Sequence, residues 1–262
     1  MEKDFFYGNK IKILFENNEL AVLYKPRGVP TAPIKKEDKN TLVNFFLNHY
    51  PEGAKIIGKK QIEAGLIHRL DTATCGSVLF AKTQDTYDEL NTLQVQNLIT
   101  KTYFTFSDIE KNCDKNFIDN LKLPYKITSQ FSPFGPKRKK VIPVFEKSRR
   151  FKDKGKMYTT TITSVAKNFN GKFFVTCTLT QGFRHQVRSH LSYCGLPICG
   201  DALYNSNYNC GEKEAENHEY PLQLYAAGIC FPKLKSSASF PKANRVNDYI
   251  SFLLPPPNKT TP

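Results

Sequence analysis

Pairs of short apolar runs joined by polar turns constrain the fold of this 262-residue chain most strongly. Residues 11–15 and 20–24 flank the sequence ENNE, and residues 158–165 and 173–179 flank the sequence NFNG. Apolar runs of this length around turn residues are typical of β-hairpins. Hairpins with a few helices between them predict an α+β fold, with a mainly antiparallel mixed sheet and flanking helices.

Three segments carry signals of helices. Thr41 is suited to cap a helix through TLVNFFLNHY, and residues 84–97 have apolar side chains at helical spacing. A third helix is predicted over residues 184–194, ended by Gly195. Further strands are predicted at residues 76–83, 98–107, 222–231 and 249–254.

Composition limits the classes of partner. The formal net charge is +14, and an excess of this size favours a polyanion such as nucleic acid. No apolar run is long enough to span a membrane, so no membrane partner is expected. The seven cysteines are an odd number without CxxC spacing, and the first residues mix acid and base. These features predict reduced thiols and a cytoplasmic protein. The sequence does not indicate an oligomeric state, and a monomer is taken as the default.

One group of side chains raises the question of a metal. Five potential ligands fall between residues 185 and 210: His185, His190, Cys194, Cys199 and Cys210. On a helix, His190 and Cys194 would lie on one face, so two ligands could converge. The two later cysteines lack the short spacing of structural zinc sites. Buried apolar packing is therefore favoured over a metal site.

The basic run at residues 137–140 has two interpretations. Neither PFGPKRKK nor YKPRGVP matches a nucleotide-binding glycine motif, so nucleotide hydrolysis is not supported. The run is either a solvated loop or a patch that contacts phosphates. Phe131, Phe134 and the pair at residues 149–150 are close in sequence and could stack on bases or bind the backbone.

A carboxylate nucleophile needs a cation to keep it ionised and a neighbouring group to handle protons. Arg69 with Asp71, Tyr103, and Arg188 offer such parts in three separate segments. Sequence spacing does not bring them together. Asp71 is therefore either the reacting group of an active site or the surface ion-pair partner of Arg69.

The ordered motifs of this chain resemble those of the RluA-type pseudouridine synthases. HRLDTATCG resembles the His-Arg-Leu-Asp segment of that family, and ITKTYF resembles its Lys-x-Tyr strand. GFRHQVRSHLSYCGLPICGDALY resembles its His-Gln-Ile-Arg segment with the Gly-Asp-x-x-Tyr ending, and YKPRGVPTAP and LQLYAAGICFP also match. Departures are Cys75 for the usual serine, Phe183 and Arg184 where Arg-Thr is commoner, and Tyr225 for a frequent histidine.

The resemblance implies an isomerase that converts uridine in ribosomal or transfer RNA to pseudouridine, without cofactor or metal. It implies Asp71 as nucleophile, Arg188 as its salt-bridge partner, and Tyr103 as the residue that stacks on the uracil and assists proton removal. Arg69 would enter the RNA where the target nucleotide is flipped out. The remaining residues implied to bind substrate are His68, Val187, His185, Gln186, Lys137 and Arg138.

The expected organisation is an N-terminal extension over residues 1–18, a catalytic domain of two lobes around a central cleft over residues 19–255, and a tail over residues 256–262. Two other functions stay open. The first is an RNA-binding or chaperone-like protein that has kept the fold and lost catalysis. The second is a metal-dependent nuclease that uses His185, His190 and Cys194.

Overall fold

The computed structural model describes residues 8–109, 120–167, 171–208, 221–235 and 244–255. They form two compact units. The first takes its described residues from Met1–Thr102 and Tyr225–Asn258, and the second takes them from Tyr103–Leu224. The central cleft expected between two lobes stays a prediction. The predicted tail lies outside the described residues, as does most of the NFNG turn.

The first unit is a sheet covered by helices. Its strands are β1 (Lys12–Glu16), β2 (Leu20–Lys25), β3 (Cys75–Ala81), β9 (Leu224–Pro232), β10 (Arg245–Val246) and β11 (Tyr249–Leu253). β1 pairs with β2, β2 with β3, β9 with β11 and β10 with β11, all antiparallel. β3 and β9 run parallel, so the sheet is mixed. The predicted ENNE hairpin is confirmed.

Two helices belong to this unit, α1 (Leu42–His49) and α2 (Gln84–Val95). The side chain of Thr41 accepts a hydrogen bond from the Asn44 amide, which confirms the predicted cap. Tyr87 and Leu90 on α2 are buried in the main core cluster with Leu79 and Phe231 of the sheet. The apolar face of the helix therefore packs with the buried strands β3 and β9 in one apolar core.

The second unit is built on antiparallel hairpins. Its strands are β4 (Thr100–Ser107), which starts in the first unit, β5 (Tyr125–Phe134), β6 (Lys140–Val144), β7 (Tyr158–Lys167) and β8 (Phe173–Leu179). β5 pairs with both β6 and β7, and β7 pairs with β8, as the predicted hairpin requires. β5 and β6 are absent from the sequence-based expectations, because Pro133 and Pro143 lie inside them and proline disfavours a strand.

Helix α3 (Gln186–Tyr193) is two residues shorter at its start than predicted. His185 has a φ of 56°, in the left-handed region, so Arg184 and His185 cannot belong to the helix. Gly195, with a φ of 75°, follows its C-terminal end as predicted. The α+β class with a mainly antiparallel mixed sheet agrees with both units.

Gly76 is a position at which the first unit is expected to tolerate no larger side chain. Its φ is 133°, and a Cβ atom there would lie 2.2 Å from the carbonyl oxygen of Ala226 on β9. The obstacle is backbone, so the parallel pairing of β3 and β9 would have to separate. We expect Gly76→Ala to lower the free energy of unfolding by about 4 kcal/mol or more in urea titration. Gly182→Ala, where nothing lies within 4 Å, is the control, and an equal effect of both would contradict this reading.

Candidate active site

Asp71 lies in the turn that leads into β3, in the first unit. The Thr74 amide donates a 3.0 Å hydrogen bond to the Asp71 carbonyl, which closes this turn. The side chain of Asp71 is half-buried, whereas the preceding Leu70 is 7% exposed. The carboxylate is therefore carried by a short loop directly before a buried strand.

The last residue of β2 and the segment after it hold this loop on both sides of Asp71. Lys25 is fully buried, and its Nζ donates to three carbonyl oxygens, of Pro26, Val29 and Thr72, at 2.9, 2.8 and 3.1 Å. The Gly28 amide also donates to the Thr72 carbonyl, at 2.9 Å. Buried donors and acceptors that satisfy one another in this way hold the backbone in one conformation.

Thr31 holds the other side of the loop. Its hydroxyl donates to the Leu70 carbonyl at 2.7 Å and accepts from the Leu70 amide at 3.1 Å. Thr31 is 2% exposed, so water does not replace these bonds readily. The backbone neighbours of Asp71 are thus both held by the segment after β2.

Thr31→Val removes the hydroxyl with little change of shape. We expect it to lower the free energy of unfolding by about 1–3 kcal/mol, because both polar groups of Leu70 lose a buried partner. Urea titration measures this change. Thr31→Ser keeps the hydroxyl and is the matched control. An unfolding free energy of Thr31→Val equal to that of Thr31→Ser would show that the hydroxyl does not hold the loop.

The two residues before this loop differ in setting. Arg69 is half-exposed and forms an ion pair with Glu63 at 3.3 Å; within the described part of the chain its partner is Glu63 and not Asp71. Such an exposed pair contributes little stability and leaves the guanidinium free to exchange partners. His68 Nε2 accepts from the Leu79 amide at 3.3 Å. Burial, with a smaller effect from Lys101, holds the pKa of His68 well below its usual range, so the ring is neutral.

Lys101 and Tyr103 lie on β4. Lys101 is 4% exposed, and its Nζ donates to Gln94 Oε1 at 3.0 Å. Burial lowers the pKa of Lys101 to about 8. Tyr103 belongs to the second unit and is 8% exposed. Its role toward the uracil base stays a prediction.

Arg188 on α3 forms a buried ion pair with Asp201 in the second unit. Arg188 Nε donates to Asp201 Oδ2 and Arg188 Nη2 donates to Asp201 Oδ1, both at 2.7 Å. The side chain of Asp201 is fully buried. The Leu203 and Tyr204 amides donate to the same carboxylate at 3.0 and 3.2 Å. This bidentate geometry fixes the plane of the guanidinium. Asp201 is not among the site residues predicted from the sequence, although it lies in the GDALY segment.

The rest of α3 is held by an internal polar network. Gln186 Nε2 donates to the Thr159 carbonyl at 3.0 Å and to Thr160 Oγ1 at 3.1 Å. The ring nitrogens of His190 lie 2.9 Å from Ser129 Oγ and 2.9 Å from Thr160 Oγ1, and burial lowers the pKa of His190 to about 4. These bonds fasten the helix that carries Arg188 to β5 and β7.

Val187 and His185 flank Gln186. Val187 is 5% exposed, and His185 Nδ1 lies 3.1 Å from the Tyr204 hydroxyl. Gln186 also accepts from the Phe183 amide at 2.9 Å, so both ends of its amide have partners inside the unit. The contacts of these three residues with RNA stay predictions.

Lys137 and Arg138 lie at the turn between β5 and β6, and both side chains are exposed. Arg184 Nη2 donates to the Arg138 carbonyl at 2.7 Å, so the turn is fastened from outside the hairpin. Phe131 does not serve as an open stacking surface, because it packs face to face on Phe183 with 5.0 Å between ring centroids.

The histidines and cysteines do not form a metal site in the part of the chain that the structure describes. There, no three His, Cys, Asp or Glu side chains are grouped so that they could hold an ion. His190 binds hydroxyl groups instead, and Cys210 lies outside the described residues. None of the helices in the described ranges has the length and apolar character needed to cross a bilayer.

The predicted site residues are divided between the units. Asp71, Arg69 and His68 belong to the first, and Tyr103, Val187 and Arg188 belong to the second. The salt bridge between Asp71 and Arg188 therefore stays a prediction. The loop that carries Asp71 and the helix that carries Arg188 are each held by buried hydrogen bonds within their own unit.

Comparison with known proteins defines the class. The sequence model of the RNA pseudouridylate synthase family matches residues 19–193, about two thirds of the chain, and the chain belongs to this family. The match covers both the segment of Asp71 and the segment of Arg188. The resemblance inferred from the ordered motifs is confirmed.

In the alignments with individual relatives, the aligned region is a smaller share of the relative than of this chain. The uncharacterized RNA pseudouridine synthase YhcT of Bacillus subtilis is 27% identical over 210 residues, which are 80% of this chain and 62% of that protein. Ribosomal large subunit pseudouridine synthase D of Borreliella burgdorferi is 29% identical over 237 residues, 88% of this chain and 66% of that protein. The chain thus spans about half to two thirds of the length of such relatives.

Solved structures agree on the fold. Human RNA Pseudouridylate Synthase Domain Containing 1 matches with a TM-score of 0.61 and 15% identity, covering 94% of this chain and 90% of that one. Human RNA Pseudouridylate Synthase Domain Containing 4 matches with a TM-score of 0.55 and 19% identity, covering 84% and 83%. At these identities the likeness concerns the fold alone, and the predicted fold is confirmed.

Proposed function

We propose that this protein is an RNA pseudouridine synthase, an isomerase that converts specific uridines of RNA to their carbon-linked isomer. The observation that carries the proposal is the family match over a segment that contains Asp71, Tyr103 and Arg188. The buried hydrogen bonds around Leu70 and Thr72 support it, because they preorganise the loop of the nucleophile.

In the proposed reaction the ionised carboxylate of Asp71 attacks the ribose anomeric carbon of the target nucleoside. The bond between that carbon and uracil N1 breaks, and the base leaves with the electron pair. The base turns, its carbon 5 bonds to the anomeric carbon, and the carboxylate is released. The proton on carbon 5 is then lost and N1 is protonated, so substrate and product are isomers and no oxidant, metal or cofactor is consumed.

Arg188 is proposed to stabilise the ionised form of Asp71. An opposite charge within a few ångströms favours a carboxylate over its neutral acid. A guanidinium carries five N–H donors, of which the pair with Asp201 uses two, so one Arg188 can bind two carboxylates. Asp201 then acts as a positioning residue that sets the plane of the guanidinium.

Tyr103 is proposed to stack on the uracil and to assist proton removal from carbon 5, with Val187 packing against the base. Chemistry on a stacked base requires its extrusion, and Arg69 is proposed to enter the vacated place in the RNA. The exposed Lys137 and Arg138 would contact phosphates, and His68, His185 and Gln186 are proposed as supporting substrate contacts. The net charge of +14 supports a polyanionic substrate.

Ribosomal RNA is the proposed substrate class ahead of transfer RNA, because several relatives are named as ribosomal large subunit synthases. The five cysteines in the described ranges are thiols and not disulfides, which supports a reducing compartment such as the cytoplasm. The test is pseudouridine mapping of ribosomal and transfer RNA from cells with and without the protein. Loss of one or a few sites in ribosomal RNA is expected. An unchanged map would favour an RNA-binding protein without catalysis.

A further inference from the structure

The connection between β6 and β7, residues 145–157, is a strongly basic surface segment outside the site described above. It carries six basic and two acidic side chains within 13 residues. The six cations are all exposed: Lys147, Arg149, Arg150, Lys152, Lys154 and Lys156. Together with the turn at Lys137 and Arg138 they form the basic face of the second unit.

This segment has a defined backbone. Successive tight turns are closed by hydrogen bonds from the amides of Ser148, Phe151 and Gly155, at 2.8, 2.9 and 2.8 Å. The buried side-chain amide of Gln130 on β5 donates to the Lys152 carbonyl at 2.5 Å and accepts from the Lys152 backbone amide at 3.0 Å. A Cβ atom on Gly155 would lie 2.4 Å from the Gln130 side chain, so the contact is close. The backbone that carries the cations therefore needs little further ordering when a ligand binds.

The charges of the segment are not neutralised within the protein. In the ranges that the structure describes, none of its six cations lies within 4.0 Å of a carboxylate. Like charges this close repel one another and do not stabilise the fold. A ligand that carries regularly spaced negative charges would remove this repulsion and release its own counterions.

Aromatic rings lie among these cations. Arg150 is over the ring of Phe134 at 5.6 Å, and Lys156 is over the ring of Tyr158 at 5.4 Å. Phe134 is 47% exposed, so its ring is accessible to a ligand. An exposed aromatic ring beside cations suits an unpaired base next to its phosphates.

We propose that residues 145–157 and Phe134 form a docking surface for single-stranded RNA, separate from the reacting nucleotide. The cations bind successive phosphates, and Phe134 stacks on one unpaired base. The choice of RNA rests on the proposed function, while the site itself rests on charge and exposure. The surface holds the substrate on the second unit while the target uridine is extruded elsewhere.

Equilibrium binding tests this without turnover. A fluorescently labelled single-stranded oligoribonucleotide of mixed sequence is titrated with protein at several salt concentrations, and anisotropy gives Kd. The triple variant Arg149→Gln, Lys152→Gln, Lys154→Gln is compared with Lys35→Gln, Lys36→Gln, Lys39→Gln, which removes three exposed cations from the first unit. The plot of log K against log salt has a negative slope, and the first variant is expected to make it shallower by about 2. The second variant is expected to leave the slope unchanged.

Phe134→Ala is expected to weaken binding of the single strand at least about fivefold while keeping the salt slope. Equal slopes for the two triple variants, or tighter binding of vesicles of anionic phospholipid than of RNA, would overturn the proposal. Because the assay measures binding only, a protein that binds through this surface but forms no pseudouridine contradicts the proposed function and not the surface. Unchanged urea unfolding of the variants confirms that each is folded.

Discussion

Replacing Asp71 by asparagine is expected to abolish pseudouridine formation while leaving the protein folded. The amide has nearly the shape of the carboxylate but cannot act as the nucleophile. The half-buried side chain lies in a loop whose backbone is held by Lys25 and Thr31, so the loop keeps its conformation. We expect the rate of tritium release from RNA with 5-tritiated uridine to fall by at least about four orders of magnitude.

Two measurements accompany this variant. Its Kd for RNA is expected to stay within about threefold of the wild-type value, because one carboxylate contributes little to phosphate binding. Asp85→Asn, which changes an exposed carboxylate at the start of α2, is the matched control and should keep full activity. Tritium release by Asp71→Asn at a rate close to that of the control would remove Asp71 from the mechanism.

Replacing Asp201 by alanine is expected to give the largest loss of stability among the charged residues of the second unit. The change leaves the guanidinium of Arg188 buried without the carboxylate that binds it in bidentate geometry. Breaking a buried pair by removing one partner costs about 3–5 kcal/mol, since the remaining charge is not compensated. The amides of Leu203 and Tyr204 also lose their acceptor. Urea titration measures the loss.

Asp248→Ala is the matched control for Asp201→Ala. Asp248 pairs with Lys233 at 3.3 Å, and its side chain is 93% exposed, so its loss should change the unfolding free energy by less than about 1 kcal/mol. Similar values for the two variants would show that the buried pair does not stabilise the unit. Asp201→Asn is a milder change that keeps the shape of the side chain. In the folded variant, we expect a lower rate of tritium release at saturating RNA if Asp201 positions Arg188.

Local features of the fold could be predicted because their causes are local in sequence. The cap of α1 depends on Thr41 and the amide of Asn44, three residues later. The hairpin of β1 and β2 follows from two apolar runs around four polar residues. The start of α3 could not be predicted, because the left-handed conformation of His185 is not visible in its residue type.

The hairpin of β5 and β6 was not predicted from the sequence for a different reason. Proline at positions 133 and 143 argues against strands, yet β5 and β6 form around both residues. Pro133 and Pro143 lie on the pair that ends in an exposed turn, where β6 has no further strand beside it in the order found for the sheet. Tertiary position thus overrides local propensity.

The candidate site could be predicted as a set of residues but not as a set of contacts. Family resemblance alone selects Asp71, Tyr103 and Arg188 from the sequence. The buried contacts of their surroundings join residues far apart in the chain. Thr31 reaches Leu70 across 39 positions, and Lys25 reaches Thr72 across 47. Spacing arguments do not extend over such separations, which is also why the pairing of Arg188 with Asp201 is found only in the structure.

The most direct test of the central claim is analysis of the product nucleosides. Purified protein is incubated with ribosomal RNA from cells that lack it, in the presence of a chelator and without cofactors. The RNA is then digested, and uridine and pseudouridine are separated by chromatography. We expect the wild-type protein to form pseudouridine stoichiometrically at a defined site and Asp71→Asn to form none. Equal pseudouridine from both proteins, or none from the wild type on any cellular RNA, would contradict it.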